Sequence, residues 1–295
     1  MWMEMSIPEG YVRYVTPDFE YFDPVKLAKE TEKIVCRDDQ RKYTGFNLWR
    51  YYGGTIDGYT CGCCLRCVFC WADWSRDFPE RAGHFYTPER AFERIISLAK
   101  KYGVNRVRIT GAEPTIGKKH LLRLLELFEN SDISVFILET NGVLFGVDKR
   151  YVKQISKFEK HHVRISLKAG FPEEFAKKTG ALPESFEIPF QAIRNLLDCN
   201  VDFHVAAVTD PRIMSFKERA NLIRKLKEID PNLIKTLEEE VLEPHQTALV
   251  RLKYAGFRRW HYLLPFRMID FVRSLPSEGF RQRLKRILYR TTLPK

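Results

Sequence analysis

No apolar run in this chain approaches the ~20 residues needed to cross a bilayer. No signal-peptide pattern opens it, which sets the expectation of a cytoplasmic protein. Internal motif repeats and low-complexity tracts are also missing, although (β/α) units are a structural repeat that need not show in sequence. Cysteine is nearly absent outside one place: five of the seven lie within 61–70, and downstream of residue 70 only Cys199 follows. Acidic residues are scarce at the C-terminal end, where 251–295 holds Asp270 and Glu278 against twelve Lys/Arg. That segment therefore carries +10 of the formal +11, and the first 250 residues are nearly neutral.

What is present is a 295-residue chain with 44% hydrophobic content, enough to bury a substantial core as one large domain or as a barrel plus appendages. Cys63, Cys67 and Cys70 stand at the spacing C-x3-C-x2-C on one short stretch. Three thiolates can hold three irons of a four-iron cubane, whose clusters are normally closed by four, so the fourth iron is left for a small molecule. An open coordination position marks a reactive metal rather than a structural one. A zinc knuckle is the alternative, but it wants a fourth Cys or His at regular spacing, and Cys61 and Cys64 are displaced from it. A disulfide framework suits a small secreted domain, which this chain does not resemble.

With Phe69 just before its last cysteine, this loop resembles the signature of the radical S-adenosylmethionine (SAM) superfamily. Gly111-Ala112-Glu113-Pro114 is similar to the family's Gly-Gly-Glu-Pro motif, with Ala at the second position. Glu139-Thr140-Asn141-Gly142 and Ser166-Leu167-Lys168 resemble the Asp-Thr-Asn-Gly and Asp-Leu-Lys elements of the enzymes that activate pyruvate formate-lyase, the nearest subgroup. The resemblance covers residues 53–228. It implies a partial (β/α) barrel with N- and C-terminal extensions, divided as 1–52, 53–230 and 231–295. It also implies one [4Fe-4S] cluster on Cys63, Cys67 and Cys70, whose free iron chelates SAM. In this reading Glu113 and the backbone of Gly111, Ala112 and Pro114 orient the methionine amino group, and Lys168 neutralises its carboxylate. Glu139, Thr140, Asn141 and Ser166 line the ribose side. The acid of the second activase element is Ser166 here, a departure that bears on the subgroup's cation site and on part of its ribose contact. The implied chemistry is reductive cleavage of SAM to a 5′-deoxyadenosyl radical that abstracts hydrogen, with ferredoxin or flavodoxin as electron donor. The missing second cysteine motif argues against subgroups with a cysteine-rich C-terminal extension.

Strand–helix alternation agrees with that fold. Strands are predicted at 104–109, 133–138, 163–167 and 201–208. Helices are predicted at 24–36, 88–101, 118–129, 148–158, 186–198 and 215–228, with Asp23 and Thr87 as N-caps and Pro24 and Pro88 at first helical positions. Parallel βαβ units gather strand C-termini on one rim, and each motif above follows a predicted strand. The segment 37–42 reads as a polar turn.

In 251–295 the charge is interleaved with Tyr254, Phe257, Trp260, Tyr262, Phe266, Phe271, Phe280 and Tyr289. Basic groups beside stacking faces suit RNA; the alternatives are a protein-docking or solvated face, built on helices 265–275 and 278–290, or contact with anionic lipid. The expected substrate is macromolecular, protein or RNA, and a non-catalytic iron–sulfur protein is the reading from another class. Cys36 and Cys199 read first as buried free thiols, with radical or methyl-transfer roles as the alternative. Cys61 and Cys64 shape the loop, and Trp74 is expected to shield the cluster, with Trp71 left open. His204 is either an inward-facing site residue or a satisfied core histidine. His161 and His162 read as exposed loop, and Glu238–Glu240 as a solvated acidic run.

Overall fold

A computed structural model of the chain describes residues 10–50, 53–242 and 245–257. The predicted helices at 265–275 and 278–290, and most of the basic segment, lie outside the described residues. Helix α1 (Pro24–Val35) starts as predicted, with Asp23 accepting from the amide of Val25 at 2.8 Å and Pro24 first. It buries Leu27, Ala28, Ile34 and Val35 and runs into a hairpin of β1 (Cys36–Arg37) and β2 (Gln40–Trp49). The predicted turn at 37–42 is therefore confined to Asp38 and Asp39. Arg41 and Lys42 are buried strand residues whose charges meet backbone carbonyls, so polarity alone misread them.

The parallel sheet begins at β3 (Thr55–Thr60), antiparallel to β2 and parallel to β5 (Arg106–Gly111). Between them lie the cysteine loop, β4 (His84–Tyr86), which pairs with β2, and α2 (Pro88–Tyr102). Thr87 caps α2 by accepting from the amide of Arg90 at 3.2 Å, a bond worth about 1 kcal/mol. Gly103 ends the helix at φ 65°. There follow α3 (Lys118–Glu129), β6 (Val135–Thr140), α4 (Val143–Val147), α5 (Lys149–Ile155), β7 (His161–Leu167), α6 (Pro172–Thr179), α7 (Glu187–Asp198), β8 (Phe203–Val208), α8 (Phe216–Ile229), β9 (Glu238–Glu240) and α9 (Gln246–Tyr254). Strands β3, β5, β6, β7, β8 and β9 are parallel neighbours in that order, the partial (β/α) barrel expected.

Strand periodicity explains the two faces of this sheet. Ile56, Val107, Ile109, Phe136, Leu138, Val163, Ile165, Val205 and Ala207 are buried and form the apolar core under the helices. The alternate positions, Asp57, Tyr59, Arg108, Thr110, Glu139, Arg164, Ser166, His204, Glu238 and Glu240, line the other face. A parallel sheet normally reads as continuous apolar runs because both faces are covered. This one does not, and its polar face is the inside of the barrel.

Candidate active site at the strand C-termini

The loop leaving β3 is fixed by its backbone before any side chain acts. Gly62 has φ +74°, and a Cβ there would stand 2.5 Å from Thr31 Cγ2. Glycine alone lets the chain pass α1. Further along, the amides of Arg66 and Val68 donate to the carbonyls of Thr179 (2.8 Å) and Lys178 (2.9 Å), tying the loop to the end of α6. Cys63 and Cys67 are buried on this loop and Cys70 is half-buried. Burial pushes the Cys67 thiol up to about 12; Lys168 opposes this, while Cys70 and Cys63 add to it. Cys64 is buried beside Cys63, and the hydrogen bond they share lowers the Cys63 thiol and raises that of Cys64. Cys61 turns away toward the carbonyl of Ala82 and Gly83. Cys36 opens β1, its sulfur close to Gly117, and Cys199 caps α7.

Among the described residues no three Cys, His, Asp or Glu side chains gather as a single-ion metal site. The zinc alternative therefore has no ligand set here. Three thiolates that each bind a different iron of a cubane need no common centre, so three thiols on one short loop fit the cluster.

Gly111 brings the next motif against this loop. Its φ is +100°, and a Cβ would lie 3.0 Å from both the N and O of Thr60. The amides of Ala112 and Glu113 then donate to Thr60 O (3.3 Å) and Gly62 O (3.1 Å), leaving the 111–114 backbone beside the cysteines. The Glu113 carboxylate is buried and fully used. One oxygen accepts from the amide and hydroxyl of Thr115 (3.1 and 2.6 Å) and from the Thr140 hydroxyl (2.7 Å), the other from the amide of Asn141 (2.8 Å). It braces the loops after β5 and β6. Asn141, expected on the ribose side, has its side-chain amide 3.2 Å from Cys64 Sγ and 3.6 Å from Cys63 Sγ. Lys168 donates to Ser166 Oγ at 2.6 Å.

Below the rim the barrel face is one ion-pair network. Arg108 bonds Asp57 (Nε at 3.0 Å) and Glu139 (3.2 Å), and Arg164 bonds Glu238 (3.0 Å) and Glu240 (2.6 Å). Burial pushes the Glu139 carboxyl upward, but Arg164, Arg108 and the Thr110 hydroxyl outweigh it and hold the group low. Tyr59 donates to Asp57 at 3.1 Å and is pushed up to about 12 by burial and that carboxylate. Ser166 donates to Glu240 at 3.3 Å.

Three expectations are corrected here. Glu238–Glu240 is strand β9: Glu238 and Glu240 serve the barrel face, and Glu239 is buried in an ion pair with Arg219. His161 and His162 belong to β7, with His161 buried. His162 stacks on His204, their nitrogens 2.6 Å apart, between Asp202 and Glu238. Since His204 is near the start of β8, it sits at the barrel's opposite end from the cysteines. Trp74 is 42% exposed with its ring facing Arg251 and Phe78, and Trp71 is 45% exposed at the edge of Tyr59, so neither is sealed against the loop. Asp57, Arg108 and Arg164 were not singled out from sequence; alternating charge within apolar strands was the available signal.

The family model described as the radical SAM superfamily matches residues 59–213, more than half the chain. A probable GTP 3′,8-cyclase of Methanococcus vannielii is 25% identical over 74% of this chain and 75% of its own length. A GTP 3′,8-cyclase of Desulforamulus reducens is 31% identical over 57% of this chain, which spans about half, 49%, of that relative. Among solved structures, Streptococcus suis SuiB bound to precursor peptide SuiA is similar in fold, with a TM-score of 0.53, 19% identity and coverage of 79% of this chain and 45% of that one. These relatives carry a different name from the activase-like subgroup suggested by the elements at 139–142 and 166–168. With the match over 59–213, the chain belongs to the radical SAM superfamily, whose enzymes use a [4Fe-4S] cluster and S-adenosylmethionine.

Proposed function

We propose that this protein is a radical SAM enzyme acting on a purine nucleoside triphosphate, with GTP the first candidate. The observation that supports the radical chemistry is the C-x3-C-x2-C loop leaving β3 with the 111–114 backbone bonded against it through Thr60 and Gly62. The names of relatives at 25–31% identity support the nucleotide in place of the macromolecular, activase-like substrate expected from sequence. Cluster and SAM, when bound, supply a carbon radical that takes hydrogen from an unreactive C–H bond, and the protein's task is to hold and orient. In this reading Cys63, Cys67 and Cys70 hold the irons and Lys168 neutralises the SAM carboxylate. The backbone of 111–114 orients the amino group, and Glu139 and Ser166 face the sugar side.

A triphosphate needs cations. Those described on the barrel face are engaged: Arg108 and Arg164 with carboxylates, Lys168 with Ser166. The segment 258–295 supplies ten more Lys/Arg against two acids. We assign the phosphates to it. The same charge favours a second reading, RNA as substrate, because basic and aromatic residues alternate there.

The test is anaerobic reconstitution and reduction, then measurement of 5′-deoxyadenosine with GTP, ATP or an RNA pool. GTP is expected to stimulate its formation well above the uncoupled rate. Neutralising Arg258, Arg259, Arg283, Lys285 and Arg286 should weaken GTP binding and flatten its salt dependence while uncoupled SAM cleavage persists. Stimulation by RNA alone, with binding that falls steeply in salt, would overturn the nucleotide reading in favour of the second.

A further inference from the structure

Each of the three cysteines has its own arginine. Arg66 donates to the carbonyl of Cys63 at 2.7 Å, Arg76 to that of Cys67 at 2.7 Å, and Arg251 to that of Cys70 at 2.6 Å. All three guanidinium groups are buried. Arg41, buried as well, holds the carbonyl of Cys61 at 2.6 Å and reaches that of Glu113. Arg251 comes from α9 at the far end of the described chain. It also takes the carbonyls of Ala72 (2.6 Å) and Asp73 (2.9 Å), so α9 is fastened onto the loop that closes the cysteine segment.

The charge does not balance within this group. Among the described residues Asp77 is the one carboxylate these four arginines bond; it lies between two of them, bonded to Arg76 at 3.0 Å and to Arg251 at 3.2 Å. Arg66 bonds only the carbonyls of Val12, Cys63 and Leu65, and its Nη2 is buried with no partner in the described structure. A buried guanidinium short of negative charge is unfavourable unless an anion completes the site. A four-iron core bearing three thiolates is such an anion, and more so once reduced.

We propose that Arg66, Arg76 and Arg251 are positioning residues of the cluster, each fixing one ligand's backbone, and that their surplus positive charge raises its reduction potential. The inference rests on the reading of Cys63, Cys67 and Cys70 as ligands. Hydrogen bonds, burial and local charge are the means by which a protein tunes such a centre. Removing a guanidinium disfavours the more anionic reduced state and lowers the potential; keeping a cation on a shorter donor set preserves the charge but loosens the loop.

The experiment uses the full-length reconstituted chain with Arg251→Gln, Arg251→Lys and Arg66→Gln, each checked for folding by circular dichroism. Arg251 lies on α9, outside the described strands. Midpoint potential is read from the reduced cluster's EPR signal and loop integrity from iron release to a chelator. Both Gln variants should be harder to reduce than wild type and release iron about tenfold faster. Arg251→Lys should release iron faster at a potential near wild type. Wild-type potential and iron retention in both Gln variants would overturn the inference. A wild-type chain that takes up no four-iron cluster would instead overturn the ligand reading beneath it, and the wild-type arm reports that separately.

Discussion

Asn141 donates its side-chain amide toward the sulfur of Cys64 at 3.2 Å, while its own carboxamide oxygen accepts from the amide of Val143 at 3.0 Å. One residue thus braces the entry to α4 and faces the adjacent thiols 63 and 64, whose surroundings differ. Cys64 is enclosed by Cys63 and Asn141, and Cys63 keeps the signature spacing.

Cys64→Ala should therefore retain the full iron complement after anaerobic reconstitution, and Cys63→Ala should lose it. Iron and sulfide assays with EPR decide the matter. The opposite pattern would move the ligand set to Cys64, Cys67 and Cys70.

The buried Glu113 carboxylate accepts four hydrogen bonds from two loops. In Glu113→Gln an amide donor must face at least one of those donors. The expected cost is about 1.5–3 kcal/mol, the worth of a hydrogen bond to a charged group, read as a lower urea midpoint at unchanged slope. Wild-type stability would show that the two loops hold without this brace.

Lys168 touches Ser166 and lies in electrostatic reach of Cys67, but it is no iron ligand. Replacing it with Ala should weaken SAM binding by about 1.5–3 kcal/mol, the loss of a charge-assisted hydrogen bond. Iron content should stay at the wild-type level. Equal SAM affinity in equilibrium binding would assign the carboxylate to another residue.

His120 gives a pH dependence whose sign follows from its bonds. Its Nδ1 donates to the carbonyl of Asp39 (2.8 Å), so its Nε2 accepts from the Tyr43 hydroxyl (2.9 Å) and the ring is neutral. Burial pushes its pKa down to about 4. Between the unfolded value of about 6.5 and that lower one, the unfolded chain takes up a proton that the folded chain refuses. Stability is then lost as pH falls through this window, by about 3 kcal/mol, and the contribution levels off below it. Urea unfolding of His120→Gln should show a shallower acid slope between pH 6.5 and 4 than wild type. Parallel slopes would refute the assignment.

Local chemistry was legible without the fold. The cysteine spacing, the Gly-Ala-Glu-Pro segment and the capped starts of α1 and α2 depend on residues a few positions apart, and the alternation in β5 to β8 is a property of each strand by itself. Strand β9 was not legible, because three glutamates look solvated until Arg164 and Arg219 are seen to meet them from other elements. Helix α6 was missed for another reason: its N-cap is Phe171, with no side-chain cap, although Pro172, Glu173 and Gly180 mark its two ends.

What only the tertiary structure decided is where charge is buried. A guanidinium reads the same in sequence whether it is solvated or holds a carbonyl, since its cost and its benefit depend on the dielectric around it and on partners the chain brings from afar. Arg251 and Cys70 stand 181 residues apart and Arg108 and Asp57 51 apart, and no local pattern links either pair. The sequence by itself determined that three thiols share a loop and that β/α units follow it. Closure of the sheet decided which arginines surround that loop and which carboxylates line the barrel, because those contacts exist only once strand C-termini are gathered on one rim.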